Sequence, residues 1–351
     1  MTPEHTNELD RRAFLKTTVA GAGASMLAGQ AAHAALPDKP GVKRPGADGL
    51  AHGKEVAGMP YAKLGKTNFM SSRLVFGCGA ALAGGKAVRL LDQALEAGVN
   101  FYDIGSNVYY KGSENQLAPF MKANRDHIWV ASKAPVAGPK PEEGKPLTVE
   151  QGTKLAARWT KFLEDSLKDL DTEYIDAYYQ MAASEVAYVK CEEMYQAFLN
   201  AKAAGKVGHF GISTHHNTRA VIEAMIETGW YDLAMVGVTP AGFYDWNTRS
   251  IMEGTPPMTE LRPLFDRARE AGIGLVGMKS ARYLSAEGDN QAAAFDKHYT
   301  EQQLASGLDP FQRAYAYVLA HGMDVVNSDM QNFAHFEANV KAIKEGVALF
   351  A

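Results

Sequence analysis

The chain is short of most features that announce a function at sight. Its 351 residues include only two cysteines, Cys78 and Cys191, far apart and without metal-type spacing. A single disulfide is the most they allow; a disulfide framework or a zinc site is excluded. No CxxCH is present, so neither Met181 nor any other methionine is expected to serve a covalently attached haem. The glycine-rich "GCGAALAGG" at 77–85 is not the GxGxxG of an open dinucleotide-binding sheet. No apolar run reaches the roughly 20 residues a membrane span takes, so no stable membrane anchor is expected. Charge of neither sign dominates, with 36 basic against 40 acidic residues and a net −4. No basic patch suited to nucleic acid stands out.

What is present begins with an address. Arg11-Arg12-Ala13-Phe14-Leu15-Lys16 resembles a twin-arginine export motif, with Asp10 where Ser or Thr is common. A weakly apolar Ala/Gly-rich run follows from Thr17 to Gln30, and Ala32-His33-Ala34 offers the small residues a signal peptidase reads. The alternative is a charged amphipathic N-terminus with no targeting role. We expect residues 1–34 to be a signal peptide, 35–58 a Pro/Gly-rich flexible linker, and 59–351 the folded domain. The expected location is periplasmic, with the twin-arginine machinery as a partner. Because that route carries folded proteins, a cofactor is expected to be loaded before export.

From Leu74 onward, short β-branched or aromatic runs alternate with helical patterns. The strand candidates are "RLVFG", "NFYD", "IWVASK", "IDAYYQ", "VGHFGIS", "LAMVGV", "IGLVGM" and "MDVVNS". Helical periodicity covers 84–97, stopped by Gly98. It also covers 151–170, where Trp159, Phe162, Leu163, Ser166, Leu167 and Leu170 fall three or four apart. The last helix is expected at 333–346. Eight such units imply an α/β fold, a closed (β/α)8 TIM barrel, with an open doubly wound sheet as the competitor. "MPYAKLGKTNFMSS" reads as an N-terminal β-hairpin able to plug the barrel bottom. Long connections at 134–148, 239–258 and 280–308 lie at strand C-terminal ends. In the second, Phe243, Tyr244 and Trp246 either wall a ligand site or pack the loop down.

Polar residues at strand ends carry the chemistry. Asp103 closes "NFYD", Lys133 closes "WVASK", Ser213 closes "FGIS" and Lys279 follows "LVGM". A lone strand-end Asp is often a helix cap, and a lone Lys usually reaches solvent. On adjacent strands, however, a buried lysine needs an acid partner, and Asp103 would supply one. A tyrosine beside that ammonium could then serve as a proton donor or acceptor, and Tyr109 and Tyr110 follow directly. His209, His215 and His216 cluster around the fifth strand, where a structural or substrate-contacting role outweighs metal binding. No metal is expected.

These segments together resemble the aldo/keto reductase family from about Met59 to the end. The likeness rests on "LGKTNFMSSRLVFG", "ALEAGVNFYDIGSNVYYKGSE", "WVASK", "LEDSLKDLDTEYIDAYYQ", "GKVGHFGIST", "GIGLVGMKS" and "MDVVNSDMQNFAHFEANV", in this order and spacing. It implies hydride transfer between NADP(H) or NAD(H) and a small carbonyl or alcohol substrate. A Tyr acts as general acid, tuned by Lys133 and Asp103. The family spaces its tyrosine five residues after the Asp, where Val108 stands here, so one inserted residue is implied; Tyr109 is favoured, with Tyr110 the alternative. The family's carbonyl-orienting His falls on Met181. The resemblance also implies cofactor contacts from Ser213, Thr214 (where Asn is usual), Lys279, Met330, Gln331 (where Arg commonly meets a 2′-phosphate), Asn332 and Asn339. Asp329 replaces a Gly beside the pyrophosphate, and Ala338 an acid before Asn339. Two other readings stay open: a non-catalytic barrel binding a small molecule or protein partner, and a lyase or isomerase using the same site for proton transfer alone.

Overall fold

The computed structural model describes residues 56–135, 138, 141–142, 144–285 and 291–351. The expected export signal and nearly all of the linker lie outside them. The fold is a closed barrel of eight parallel strands preceded by a hairpin. The hairpin strands are β1 (Tyr61–Lys63) and β2 (Met70–Ser72), paired antiparallel. The barrel strands are β3 (Leu74–Gly77), β4 (Phe101–Asp103), β5 (Trp129–Pro135), β6 (Ile175–Met181), β7 (Val207–Thr214), β8 (Leu233–Thr239), β11 (Gly274–Met278) and β12 (Val325–Ser328). Each pairs in parallel with the next, and β12 pairs back onto β3. All eight sequence-derived strands fall within these bounds to a residue or two. The closed ring displaces the open-sheet alternative.

Strand alternation sorts the side chains. Val75, Phe101, Trp129, Ala131, Ala177, Tyr179, Leu233, Met235, Val276, Met278 and Val325 form the interior cluster, while their odd-register neighbours pack outward against the helices. Tyr178 illustrates the outward set, bonding Ser166 at 2.9 Å and meeting Trp159 edge to face. The hairpin closes the bottom: Leu64 and Phe69 join the interior cluster, and Phe69 stacks on Trp129 at 4.8 Å. Burying two such side chains contributes roughly 1.5–3 kcal/mol each.

The helix at Val149–Asp169 is longer by two residues at its start than its periodicity suggests, because Thr148 and Gln151 form a reciprocal capping box. The expected helix 84–97 is regular only over Leu90–Glu96. Gly84 and Gly85 have φ of 69° and 77°, which breaks the first turn before Ala87 can join it. The last helix runs Phe333–Lys341 and continues as a π-turn at Ala342–Gly346. The long connection after β8 contains an antiparallel ribbon, β9 (Gly242–Asp245) and β10 (Ser250–Ile251). Its periodicity is too short to register in sequence. Both cysteines are buried and free, so the single disulfide the sequence allows is not formed; burial lifts both thiols and makes them poor nucleophiles. No helix among the described residues is long and apolar enough to cross a membrane.

Candidate active site

The inward register fixes which residues meet at the C-terminal mouth. Phe101 faces inward, so Asp103 does; Ala131 faces inward, so Lys133 does. Lys133 Nζ donates to both Asp103 oxygens, at 2.7 and 2.6 Å, and to the Ile104 carbonyl at 2.5 Å. The pair is buried, with 4% and 3% exposure for lysine and aspartate. Burial pushes the Asp103 carboxyl above its ordinary value, against the pull of Lys133, Asn327 and Lys279.

The two tyrosines part company. Both occupy the short helix Asn107–Tyr110, but Tyr109 is 52% exposed, while the Tyr110 ring lies against Gly79 and Gly105. A Cβ at those glycines would stand 2.7 and 2.6 Å from the ring, and at Gly105 it would also stand 3.0 Å from Lys133 Cγ. Tyr110 is therefore the phenol that shares the mouth with Lys133. Burial and Asp103 push its pKa up. The turn is anchored from below: Ser113 donates to the carbonyls of Tyr110 and Gly79 at 2.6 Å. Buried Glu114 accepts from Ser132 at 2.6 Å and from the Asn107 amide at 3.1 Å. Of the two tyrosines left open by sequence counting, the alternative is the one turned inward, because one step along a helical turn rotates the side chain by about 100°.

Met181 ends β6 on the inward face, 7% exposed, opposite Pro135 in register. Met235 and Met278 share the interior, so the β6–β11 side of the mouth carries three thioethers. Ser213 lies between them, and among the described residues its hydroxyl meets only the Met278 sulfur, at 4.0 Å. Thr214 is drawn into a turn, donating to the His216 carbonyl at 3.0 Å. Lys279 has φ 63° and lies 4.2 Å over the Trp246 ring, with Arg282 and Arg249 at 5.8 and 6.0 Å. No carboxylate among the described residues ion-pairs with these three cations. Burial and Arg282 lower Lys279 to about 8. Trp246 therefore faces the mouth, whereas Phe243 packs edge to face on Phe265 in the core.

The β12 end is partly self-occupied. Asp329 accepts from Gln331 at 3.0 Å, and Met330 is buried. Asn332 caps the following helix through the His335 amide at 2.9 Å. Asn339 is buried and donates to Ser328 at 2.8 Å. The histidines separate along β7: His209 meets Asp232 at 3.2 Å at the bottom, and His216 meets Asp245 at 2.9 Å near the mouth. One mouth residue escaped the sequence reading. Asn327 donates to Asp103 Oδ2 at 2.6 Å; the alternation from Val325 was the available signal.

An acid, a lysine and a tyrosine gathered at the C-terminal ends of barrel strands have the form of a (β/α)8 barrel enzyme site. The aldo/keto reductase family profile matches residues 74–347, and the chain belongs to that family. A probable aldo-keto reductase of Glycine max is 28% identical over 300 residues, covering 75% of this chain and 78% of its own. The uncharacterized oxidoreductase YqkF of Bacillus subtilis is 29% identical over 158 residues, 44% of this chain and 49% of its own. Among solved structures, the holo form of an aldo-keto reductase of Bacillus halodurans aligns with TM-score 0.58 at 23% identity, over 81% of this chain and 91% of its own. An aldo-keto reductase of Klebsiella pneumoniae in complex with NADPH aligns with TM-score 0.57 at 16% identity, over 83% and 93%.

Proposed function

We propose that the protein is an exported, periplasmic oxidoreductase that uses NADP(H) or NAD(H) on a small carbonyl or alcohol substrate, with Tyr110, not Tyr109, as its proton donor. The buried Lys133–Asp103 pair beside Tyr110 carries this reading, since an ion pair held at a barrel mouth is costly to keep without use. A nicotinamide dinucleotide fits the residues present: Ser213 has a buried hydroxyl with only a weak sulfur partner, and Lys279 has no carboxylate ion pair among the described residues. Ser213 would hold the carboxamide, and Lys279 the diphosphate. When bound, such a cofactor supplies or accepts the hydride at the carbonyl carbon. Tyr110 gives its proton to the carbonyl oxygen; Lys133, whose stem and the Tyr110 ring both flank Gly105, stabilises the phenolate left behind by turning an N–H toward it; Asp103 fixes Lys133. Met181 adds apolar surface and no donor, so the substrate oxygen relies on Tyr110. Gln331 and Asp329 give a 2′-phosphate no cation, which favours neither nucleotide strongly.

Nucleotide titration of the mature domain tests this, followed by quenching of intrinsic fluorescence. Saturable binding of NADPH or NADH, weakened by Ser213→Ala or Lys279→Met, supports the reading; no binding of either at millimolar concentration overturns it. The second reading, a barrel that binds without catalysis, draws on Met181 and on the engagement of all three Lys133 donors away from Tyr110.

A further inference from the structure

Asp103 receives more than Lys133. In register, Asn327 of β12 lies beside Val75 of β3, and Gly77 of β3 lies beside Asp103 of β4. A strand therefore separates Asn327 from Asp103, and the side chain that would block the reach is missing. A Cβ at Gly77 would stand 2.5 Å from Asn327 Oδ1. Through that gap Asn327 Nδ2 donates to Asp103 Oδ2 at 2.6 Å, with the Met235 sulfur 3.9 Å away. Lys133 meanwhile directs its three donors to the two Asp103 oxygens and the Ile104 carbonyl, leaving none for Tyr110.

We propose that Asn327 is a positioning residue for this site: its amide is a standing donor to Asp103 that keeps the carboxylate held when Lys133 turns one N–H from Asp103 to the phenol of Tyr110. This rests on the reductase reading for its purpose, though not for its first test. The exchange conserves hydrogen bonds. Asp103 loses one lysine contact and retains the amide, so no buried carboxylate oxygen is stranded. Without Asn327, the same turn would leave Oδ2 without a donor in a dry site. The other groups facing Asp103 are Lys279 directly after β11, Tyr179 from β6, Tyr110 and Cys78. Of these only Lys279 favours the carboxylate.

The test reads Asp103 directly, without turnover. Infrared difference spectra of the apo protein follow the protonated carboxyl band against pH, assigned by its loss in Asp103→Asn. Asn327→Leu should raise the midpoint by about one pH unit, a tenfold gain in proton affinity. Asn327→Gln, which keeps the amide, should stay within about 0.3 units. If the leucine variant fails to fold, Asn327→Ser, too short to span β3, carries the same expectation. Equal midpoints in wild type and the donor-free variants overturn the proposal. With NADP⁺ added, the Tyr110 phenol (assigned by Tyr110→Phe) should titrate at lower pH in wild type but not in Asn327→Leu; an equal fall in both also overturns it. Failure of any nucleotide to bind overturns the exchange together with the reductase reading, whereas unmoved Asp103 midpoints with intact nucleotide binding overturn this inference alone.

Discussion

The mouth of the barrel divides into two arcs of different chemistry. From β12 through β5 the inward ends are Asn327, Gly77, Asp103 and Lys133, and across the gap at Gly77 the other three are tied by hydrogen bonds of 2.6–2.7 Å. From β6 through β11 the inward side chains are Met181, Ser213, Met235 and Met278, whose polar contacts among the described residues are two weak ones to sulfur, Ser213 to Met278 at 4.0 Å and Asn327 to Met235 at 3.9 Å. The same strand geometry presents both, so the difference lies in the side chains alone. The first arc is rigid and proton-active; the second is soft, polarizable and poor in donors. A ligand lying across the two would meet hydrogen-bonding groups on one side and soft apolar surface on the other.

The sharpest way to break the contrast is in the first arc. Tyr110→Phe and Lys133→Met should each cut the rate of carbonyl reduction by about 10²–10⁴-fold, while Tyr109→Phe changes it less than about threefold; steady-state NADPH oxidation with an aldehyde panel reads both. An equal loss in the two phenylalanine variants would return the assignment to Tyr109.

A buried acid outside both arcs supplies the control. Asp232 accepts from the Phe210 amide at 3.1 Å and meets His209 and Lys66 at 3.2 and 3.6 Å, and is held down at about 2. Asp103, equally buried, is pushed the other way. Asp232→Ala should cost about 3–5 kcal/mol in urea denaturation and leave nucleotide affinity alone. Because its native value is depressed, Asp232 contributes about 2 kcal/mol above the unfolded value near 4 and loses it as pH falls toward about 2. The raised Asp103 has the opposite sign: its ionisation opposes folding, and acid relieves that penalty.

In the second arc, Met181→His should restore a donor and raise kcat/KM for aldehydes by about tenfold; no gain would mean the substrate oxygen does not pass that position. The smallest expected effect concerns Lys279. Nucleotide affinity should weaken a few-fold as pH rises through about 8, where the ammonium loses its proton, and Lys279→Met should flatten that dependence, as calorimetry at a series of pH values would record.

Strands were the most legible part of the sequence, because a buried parallel strand is a short apolar run between helical patterns and nothing else in this chain looks alike. Asp103 and Lys133 were legible for a related reason: each ends an inward-facing register, where a charge has few other uses. The sequence left Tyr109 and Tyr110 both open, since telling which adjacent residue of a helical turn points inward needs the turn's phase, which is followed here by left-handed Lys111 and Gly112. Asn327 was hidden by its type, as an asparagine near the end of a strand reads as the approach to a turn. Its reach to Asp103 depends on the missing side chain of Gly77, on the adjacent strand β3 but some 250 residues earlier in the chain. Asn332 and Asn339, expected at the cofactor, spend their side chains on a helix cap and a buried tie, commitments that a motif match does not reveal.

From Phe69 stacked on Trp129 up to Met235 and Met278, the barrel interior is solid with side chains, a floor and not a channel. A guest therefore has only the rim to occupy, among the loops that follow the strands there, with Trp246 on one of them. Trimming those loops should shorten residence without altering what happens at the floor of the site.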